Sequence, residues 1–232
     1  MTILESKSAL ITGSSRGIGQ QVALGLAEHG CHIIVHGRSL QSCENTLKML
    51  EAYPVKSFAV YGDLSAESQV EELVNQVSEL PVKVDILYNN AAGMTPYCKD
   101  YWKHEWESWI QTYRVNVIAM YHLCAAFVPG MVNRGFGRVV NLTSGIMHEP
   151  ELAPYGASKW AVNKLTNDLA SKLGGSGVRI NALDPGWLQT DMGGQHALHP
   201  VEAVLPGALD PVLIEDDGPN GRVYSAIDRI WG

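Results

Sequence analysis

Short apolar runs alternate along the chain with longer stretches in which apolar residues recur every three or four positions. The apolar runs predict strands at 8–12, 31–36, 55–61, 84–88, 137–142, 178–183 and 221–225. The amphipathic stretches predict helices at 17–30, 40–52, 66–80, 103–133 and 154–173. The strand runs are nearly all apolar, which is typical of strands buried on both faces. The alternation predicts one α/β domain, residues 1–232, with a doubly wound parallel sheet of about seven strands and helices on both faces.

A glycine-rich turn, T-G-S-S-R-G-I-G at 12–19, joins the first predicted strand to the first helix. Glycines let the backbone approach a diphosphate closely, and the helix directs its free N–H groups and positive dipole end there. In a Rossmann-like sheet this is where a dinucleotide binds. The alternative is a turn that needs small residues only for helix packing. The loop residues assigned to the cofactor are Gly13, Ser15, Arg16, Gly17, Ile18 and Gly19.

The end of the second strand indicates which cofactor is bound. Binders of NAD(H) usually place an acid there, but Gly37 occupies that position and Arg38 follows it. Arg38 and Arg16 are suited to a 2′-phosphate, which favours NADP(H); alternatively, both arginines are simply exposed. Asp63 and Leu64, after the third strand, are candidates to flank the adenine, although Asp63 could instead cap the next helix.

With these residues, the chain resembles the short-chain dehydrogenase/reductase family from about residue 6 to 192. The resemblance rests on motifs in the family's order: N-N-A-A-G at 89–93, Asn116, Ser144, Y-G-A-S-K at 155–159, and D-P-G at 184–186 followed by Thr190. The tail, D-D-G-P-N-G-R-V-Y, is similar to that of carbonyl-reductase-like members. The chain departs from the family in having Ala92 in place of a glycine. Its 144–155 segment is also shorter than in many members, which leaves Thr143 as an alternative catalytic hydroxyl.

The resemblance implies a catalytic set of Asn116, Ser144, Tyr155 and Lys159. Tyr155 and Lys159 lie one helical turn apart, so the ammonium is expected to lower the pKa of the phenol and make it a general acid or base. Ser144 would polarise the substrate carbonyl, and Asn116 would anchor a proton-relay water through its carbonyl or side chain. The further residues assigned to the cofactor are Asn90, Ala91, Ala92, Tyr155, Lys159, Pro185, Gly186, Leu188 and Thr190.

Substrate contacts are expected from the loops after the fourth, fifth and sixth strands. The candidates are Met94, Met147, His148 and Trp187, with Tyr97, Trp102 and Ile146 as further possibilities. The 192–220 stretch, rich in Gly, Pro and acidic residues, is interpreted as a substrate-loop insertion over the site. The Trp-rich 101–109 segment would line the pocket or an oligomer contact. Helices 103–133 and 154–173 would form a homodimer or homotetramer, unless apolar positions such as Val117, Met120, Leu123 and Phe127 pack within the chain.

Composition excludes some classes of partner. The formal charge of −7 disfavours nucleic acid and anionic membranes. No signal peptide, membrane span or metal site is expected, and four widely spaced cysteines suggest reduced thiols in the cytoplasm. The function predicted is hydride transfer between NADP(H) and a small-molecule ketone, aldehyde or alcohol. The alternatives are a 3-oxoacyl thioester reductase and a non-catalytic NADP(H)-binding regulatory protein.

Overall fold

A computed structural model describes residues 4–229 and contains the predicted parallel sheet. Its strand order is β3-β2-β1-β4-β5-β6-β9. The strands are β1 (Ser8–Ile11), β2 (His32–Gly37), β3 (Ser57–Tyr61), β4 (Ile86–Asn89), β5 (Gly137–Leu142), β6 (Val178–Asp184) and β9 (Val223–Ser225). A separate parallel pair, β7 (Leu188–Gln189) and β8 (His199–Pro200), was not predicted. The helices are α1 (Gly17–Glu28), α2 (Leu40–Leu50), α3 (Glu67–Ser78), α4 (Trp106–Tyr113), α5 (Met120–Arg134) and α6 (Ala153–Ser171).

Each face of the sheet has its own hydrophobic core. Along β2, Ile33 and Val35 belong to the core beneath α1 and α2, whereas Ile34 belongs to the core beneath α3, α5 and α6. Both kinds of position are fully buried, so the strand must be apolar at consecutive residues rather than alternate residues. This confirms the predicted doubly wound α/β fold.

The strand order indicates where a ligand would bind to this sheet: at the carboxyl ends of the strands on either side of β1. β1 pairs with β2 on one side and with β4 on the other, so the connections diverge at this point. Ligands of such sheets bind in the crevice at the carboxyl ends of the strands beside this switch point. The loops that follow β1, β2, β4, β5 and β6 all meet there.

The long predicted helix is continuous but not uniform. α4 is joined to α5 by a π-helical stretch, Arg114–Ala119. The helix over residues 106–134 is long and apolar enough to cross a membrane by length and composition. No membrane span was expected from the sequence, and this helix was not identified there as a candidate. Core helices pass the same test, and Leu123, Cys124 and Met131 are buried against the sheet.

The structure agrees only in part with the predicted substrate-loop insertion at 192–220. Residues 201–214 do not form an insertion over the site; Val204, Leu209 and Val212 are buried in the core beneath α1. The phenol of Tyr88 donates a hydrogen bond to the Ala208 carbonyl at 2.9 Å, which fixes this segment to β4. The segment is irregular because 3-10 turns, rather than a periodic helix, carry its apolar residues into the core.

Candidate active site

The glycine loop is supported from below by side chains of neighbouring elements. Ser14 Oγ donates to Ile11 O at 2.7 Å and accepts the His36 amide at 3.0 Å. Thr46 of α2 donates to Ser14 O at 2.9 Å. The Gly13 amide donates to Nδ1 of His36 at 3.0 Å. The sequence did not single out His36 or Thr46, because their role depends on contacts between separate elements.

The upper side of the loop has the form of a diphosphate cradle. Gly13 and Gly17 have φ values of +64° and +61°, a region that favours glycine. A Cβ on Gly19 would lie 2.6 Å from the Gly13 carbonyl oxygen, so only glycine allows this close approach. No described side chain caps the start of α1 at Arg16, and its first amides therefore point outward without intrahelical partners. These features fit the phosphates of a dinucleotide, although the Gly13 amide itself is already bonded to His36.

An acidic side chain in place of Gly37, at the end of β2, would require residues of α2 to shift. A Cβ on Gly37 would collide with the hydroxyl of Ser42, and it would lie 2.9 Å from Sγ of Cys43. Arg38 is exposed at this strand end. Nearby Asp63 accepts the Ser65 amide at 2.8 Å, and this bond is the main cause of its lowered pKa, with a further contribution from Arg38. Asp63 therefore forms a turn rather than capping α3, whose N-cap is Ala66; Leu64 is buried.

The Arg16 guanidinium, on the glycine loop, forms an ion pair with an acid that follows Thr190. Its Nε is 2.8 Å from Oδ2 of Asp191, and both side chains are largely exposed. The ion pair joins the glycine loop to the segment after Thr190, across the mouth of the crevice. Sequence reasoning could not predict this pair, because the two residues lie far apart in the chain. Arg38 is exposed after β2, and the assignment of Arg38 and Arg16 to a 2′-phosphate stays a prediction.

The N-N-A-A-G loop is bonded directly to the glycine loop. Nδ2 of Asn90 donates to Thr12 O at 2.8 Å and to Gly13 O at 3.1 Å. Thr12 Oγ1 accepts the amides of Asn90 and Ala91, each at 3.0 Å. Ala92 is partly exposed beside Ala91. The two loops therefore form one rigid floor for the crevice.

The loop after β6 closes the other end of the crevice. Pro185 is buried, and Gly186 has a φ of +76° with its amide bonded to Oδ1 of Asp184 at 3.0 Å. Leu188 is buried in β7, and Thr190 Oγ1 accepts the Gly193 amide at 3.0 Å. The methyl group of Thr190 would lie 3.7 Å from a Cβ on Gly17, so this loop touches the glycine loop.

Ser144 and Tyr155 meet at the carboxyl end of β5. The Ser144 hydroxyl is near enough to the Tyr155 phenol to lower its pKa, and Ser144 Oγ accepts the Ile146 amide at 3.3 Å. Thr143, the alternative hydroxyl, is buried and donates to the Lys159 carbonyl at 3.2 Å. Thr143 therefore faces α6, and Ser144 is the hydroxyl that faces Tyr155.

Lys159 lies behind Tyr155 rather than in contact with its hydroxyl. Nζ donates to the Leu142 carbonyl at 2.7 Å and lies 5.6 Å from the centroid of the Tyr155 ring. Burial lowers the pKa of Lys159 to about 8. Burial also raises the pKa of Tyr155 to about 12; the bond to Ser144 opposes this rise, and the charge of Asp184 adds to it. The expected lowering of the phenol's pKa is therefore wrong for this structure, because desolvation outweighs the distant ammonium.

Asn116 lies in the π-helical stretch with its side chain fully engaged. Oδ1 accepts the Gly93 amide at 2.7 Å, and Nδ2 donates to Gly93 O and to Ser158 Oγ, each at 2.9 Å. The amide thus braces the N-N-A-A-G loop against α6. This leaves its main-chain carbonyl, rather than its side chain, as the group able to hold a relay water.

Comparison with known proteins identifies this arrangement. The family model described as short chain dehydrogenase matches residues 7–199. The chain belongs to the short-chain dehydrogenases. It is 35% identical over 195 residues to a 3-oxoacyl-[acyl-carrier-protein] reductase of Staphylococcus epidermidis, covering 81% of this chain and 77% of the relative. It is also 35% identical over 225 residues to a 3alpha-hydroxysteroid dehydrogenase of Mediterraneibacter gnavus, covering 95% and 85%.

A solved structure extends the likeness to almost the whole chain. The gluconate 5-dehydrogenase of Burkholderia cenocepacia, in complex with NADP and tartrate, superposes with a TM-score of 0.83 at 27% identity, covering 96% of this chain and 94% of that one. This short-chain dehydrogenase is thus an oxidoreductase that transfers hydride between a nicotinamide cofactor and a carbonyl or alcohol substrate.

The predicted substrate residues of this short-chain dehydrogenase do not lie together. Met147 and His148 line an outward cavity of about 380 Å³, together with Glu149, Pro150, Ala153, Gly156, Ala157 and Trp160. The α6 residues in this set share a helical face that points away from Tyr155 and Lys159. Met94 is exposed and follows Gly93, and the exposed Trp187 donates from its indole to Gly193 O at 2.9 Å. Met94 and Trp187 lie on loops that border the crevice, and the assignment of these residues to the substrate stays a prediction.

Proposed function

We propose that this short-chain dehydrogenase reduces a small ketone or aldehyde with NADPH. The observation that supports this activity is the position of the Tyr155 phenol beside Ser144 at the carboxyl end of β5, with Lys159 behind it. A phenol is protonated at pH 7, so Tyr155 can donate the proton that the carbonyl oxygen takes up in reduction.

The residues divide the work of reduction between them. The bound cofactor would supply the hydride, with its diphosphate held by the amides at the start of α1 and its nicotinamide end by the Pro185–Thr190 loop. Ser144 would hold the carbonyl oxygen and stabilise the negative charge that develops on it. Tyr155 would donate a proton to that oxygen. Lys159, whose Nζ lies 5.6 Å from the centroid of the Tyr155 ring, and the carbonyl of Asn116 would carry the replacement proton to the phenol.

Tyr155→Phe tests the proposed acid. We expect kcat for NADPH-dependent reduction of a ketone to fall by about 10²–10⁴-fold, since the proton donor is lost while the ring is retained. The measurement is the absorbance of NADPH with a panel of ketones, aldehydes, quinones and diketones. Tyr121→Phe, on the exposed face of α5, is the matched control and should retain parental activity. Turnover by Tyr155→Phe at the parental rate would exclude Tyr155 as the acid.

The preference for NADP(H) rests on Arg38 and Gly37. The steric contact at Gly37 disfavours an acid there, and Arg38 is exposed at the strand end. We expect Arg38→Ala to weaken NADPH binding by about tenfold, because a charge-assisted bond to the 2′-phosphate is lost, and to leave NADH binding within about twofold.

Fluorescence titration with both cofactors measures this effect. Arg222→Ala is the control, since Arg222 is exposed just before β9, at the opposite edge of the sheet. Equal losses for NADPH and NADH in Arg38→Ala would show that Arg38 does not recognise the 2′-phosphate.

A second candidate is reduction of a 3-oxoacyl thioester, favoured by the likeness to the S. epidermidis reductase. An acidic carrier would require a basic surface at the mouth. The segment that leads into the first turn of α4 and the segment before α6 instead carry mostly acids: Asp100, Glu105, Glu107, Glu149 and Glu151, against Lys99 and Lys103. A free ketone is therefore the preferred substrate. Tight cofactor binding with no turnover of any carbonyl substrate would instead favour the regulatory alternative.

Assembly as a cytoplasmic homodimer or homotetramer is part of the proposal. Met120 and Leu123, offered as oligomer contacts, are buried within the chain, and Phe127 packs against the same core. Four large apolar side chains are exposed along residues 106–134, namely Trp106, Ile118, Tyr121 and Val132, and Trp160 is exposed on α6. Light scattering of the purified protein measures the assembly state.

A further inference from the structure

His36 is the penultimate residue of β2, and it is 3% exposed. Its imidazole lies between two backbone groups that belong to different loops. Nδ1 accepts the Gly13 amide at 3.0 Å, and Nε2 is 3.1 Å from the Gly62 carbonyl oxygen. Because an amide can only donate and a carbonyl can only accept, the ring must be neutral with its proton on Nε2.

The backbone of His36 reinforces the same contact. The Ser14 amide donates to His36 O at 2.9 Å, and the His36 amide donates to Ser14 Oγ at 3.0 Å. Gly13 lies in the turn two residues after the end of β1, and its carbonyl lies directly beneath Gly19. The His36 ring thus holds the Thr12–Gly13 peptide, and the His36 carbonyl holds the Gly13–Ser14 peptide, whose oxygen lies beneath Gly19. Together these bonds fix the turn at Gly13, and so where α1 begins and where its free amides point.

We propose that His36 is a positioning residue for the cofactor: its neutral ring holds the Gly13 peptide in the orientation that aims the start of α1 at the diphosphate. The inference rests on the dinucleotide binding proposed above. The ionisable group that acts on the ring is Asp63, which follows β3. Arg38, which follows β2, acts in turn on Asp63. Burial lowers the pKa of His36 to about 4, so the accepting form persists at neutral pH.

Two isosteric substitutions separate the two bonds of the ring. His36→Asn places an amide oxygen near the position of Nδ1 and keeps an acceptor for Gly13, but loses the donor to Gly62. His36→Gln places an amide nitrogen near the position of Nε2 and keeps the donor, but loses the acceptor for Gly13. Each variant loses one buried hydrogen bond, so their losses of thermal stability should be similar.

The readout is the dissociation constant for NADPH, measured by titration, together with the melting temperature without cofactor and kcat at saturating cofactor. We expect His36→Asn to bind NADPH within about threefold of the parent and His36→Gln to bind about tenfold more weakly, with kcat changed little in either. Thr166→Val removes a buried hydroxyl bonded to Asn141 and Val162, far from the loop. This control variant shows how much a loss of stability weakens NADPH binding when the glycine loop itself is unchanged.

Parental affinity in His36→Gln, or equal weakening in both variants, would overturn the inference. A parent that binds neither NADPH nor NADH would instead overturn the proposed function. If His36→Gln does not fold, the ¹⁵N resonances of the parent's His36 ring decide: an unprotonated Nδ1 at pH 7 supports the proposal, and a protonated Nδ1 contradicts it.

Discussion

Tyr155 and Lys159 illustrate how burial and charge compete at a single site. Both side chains are mostly withdrawn from water, which disfavours the phenolate of one and the ammonium of the other. The family motif placed them on one face of α6, but motif spacing does not reveal the atoms behind that face. The Leu142 carbonyl, which binds the lysine, is one such atom.

Asp184 is a further acid at this site, at the carboxyl end of β6. Its side chain would contact a Cβ on Gly145, next to Ser144, and its charge raises the pKa of Tyr155. We expect Asp184→Asn to lower the pKa of the phenol, because a negative charge no longer opposes phenolate formation. The basic limb of the reduction profile should then move to lower pH, and alcohol oxidation should begin at lower pH.

The pH dependence of kcat in both directions measures this shift. Asp168→Asn, on the exposed side of the same helix as Tyr155, removes an acid that pairs with Lys164 and should leave both limbs in place. If the pH profiles of Asp184→Asn are unchanged, or move to higher pH, then this carboxylate does not act on Tyr155.

At the scale of elements, the π-helical stretch between α4 and α5 carries the brace formed by Asn116. We expect Asn116→Ala to lower the free energy of unfolding by about 2–3 kcal/mol, because the buried groups of Gly93 and Ser158 lose their partners. Reduction of a ketone should also slow, since the loop beneath the nicotinamide is released from α6. Urea unfolding and NADPH oxidation measure the two effects.

Thr112→Val is the control for this prediction on the neighbouring helix α4. Thr112 is 2% exposed, and its hydroxyl has no hydrogen-bond partner among residues 4–229. An isosteric apolar replacement should therefore leave stability unchanged or increase it. If Asn116→Ala were no more destabilised than Thr112→Val, Asn116 would not be a brace.

The elements that the sequence predicted well are those whose signal is local. The seven sheet strands were predicted to within about two residues, because buried strands are continuous apolar runs. β7 and β8 have two residues each, too short for any periodicity. The π-helical stretch was not predicted, because its apolar pattern differs little from that of an α-helix.

The site residues that belong to sequence motifs were predicted. Those whose role depends on contacts between separate elements were not. Tyr155, Ser144 and the glycine loop follow from sequence motifs. His36 and the pairing of Arg16 with Asp191 depend on which loops become neighbours, which neither spacing nor propensity contains. The direction in which Met147 and His148 face relative to α6 likewise depends on packing, because position in a loop does not determine it.

At the scale of the whole molecule, one buried cation joins the sheet to the irregular segment near the C-terminus. Arg138 lies on β5 and is 0% exposed, close to the edge opposite the active site. Its guanidinium donates to Gly177 O at 3.2 Å, Ile214 O at 3.0 Å and Oδ1 of Asp216 at 2.6 Å. It thus fixes the end of the segment that packs beneath α1 and supports the cofactor crevice from below.

Arg138→Met retains the apolar stem of this side chain and removes its donors. We expect the free energy of unfolding to fall by about 2–4 kcal/mol, since buried carbonyls lose their partners. Asp216→Asn should cost at most about 1 kcal/mol, because Asp216 is 68% exposed and its ion pair is screened by water. Urea unfolding of both variants separates the two contributions. Equal losses would mean that the ion pair, rather than the bonds to buried carbonyls, stabilises this edge of the molecule.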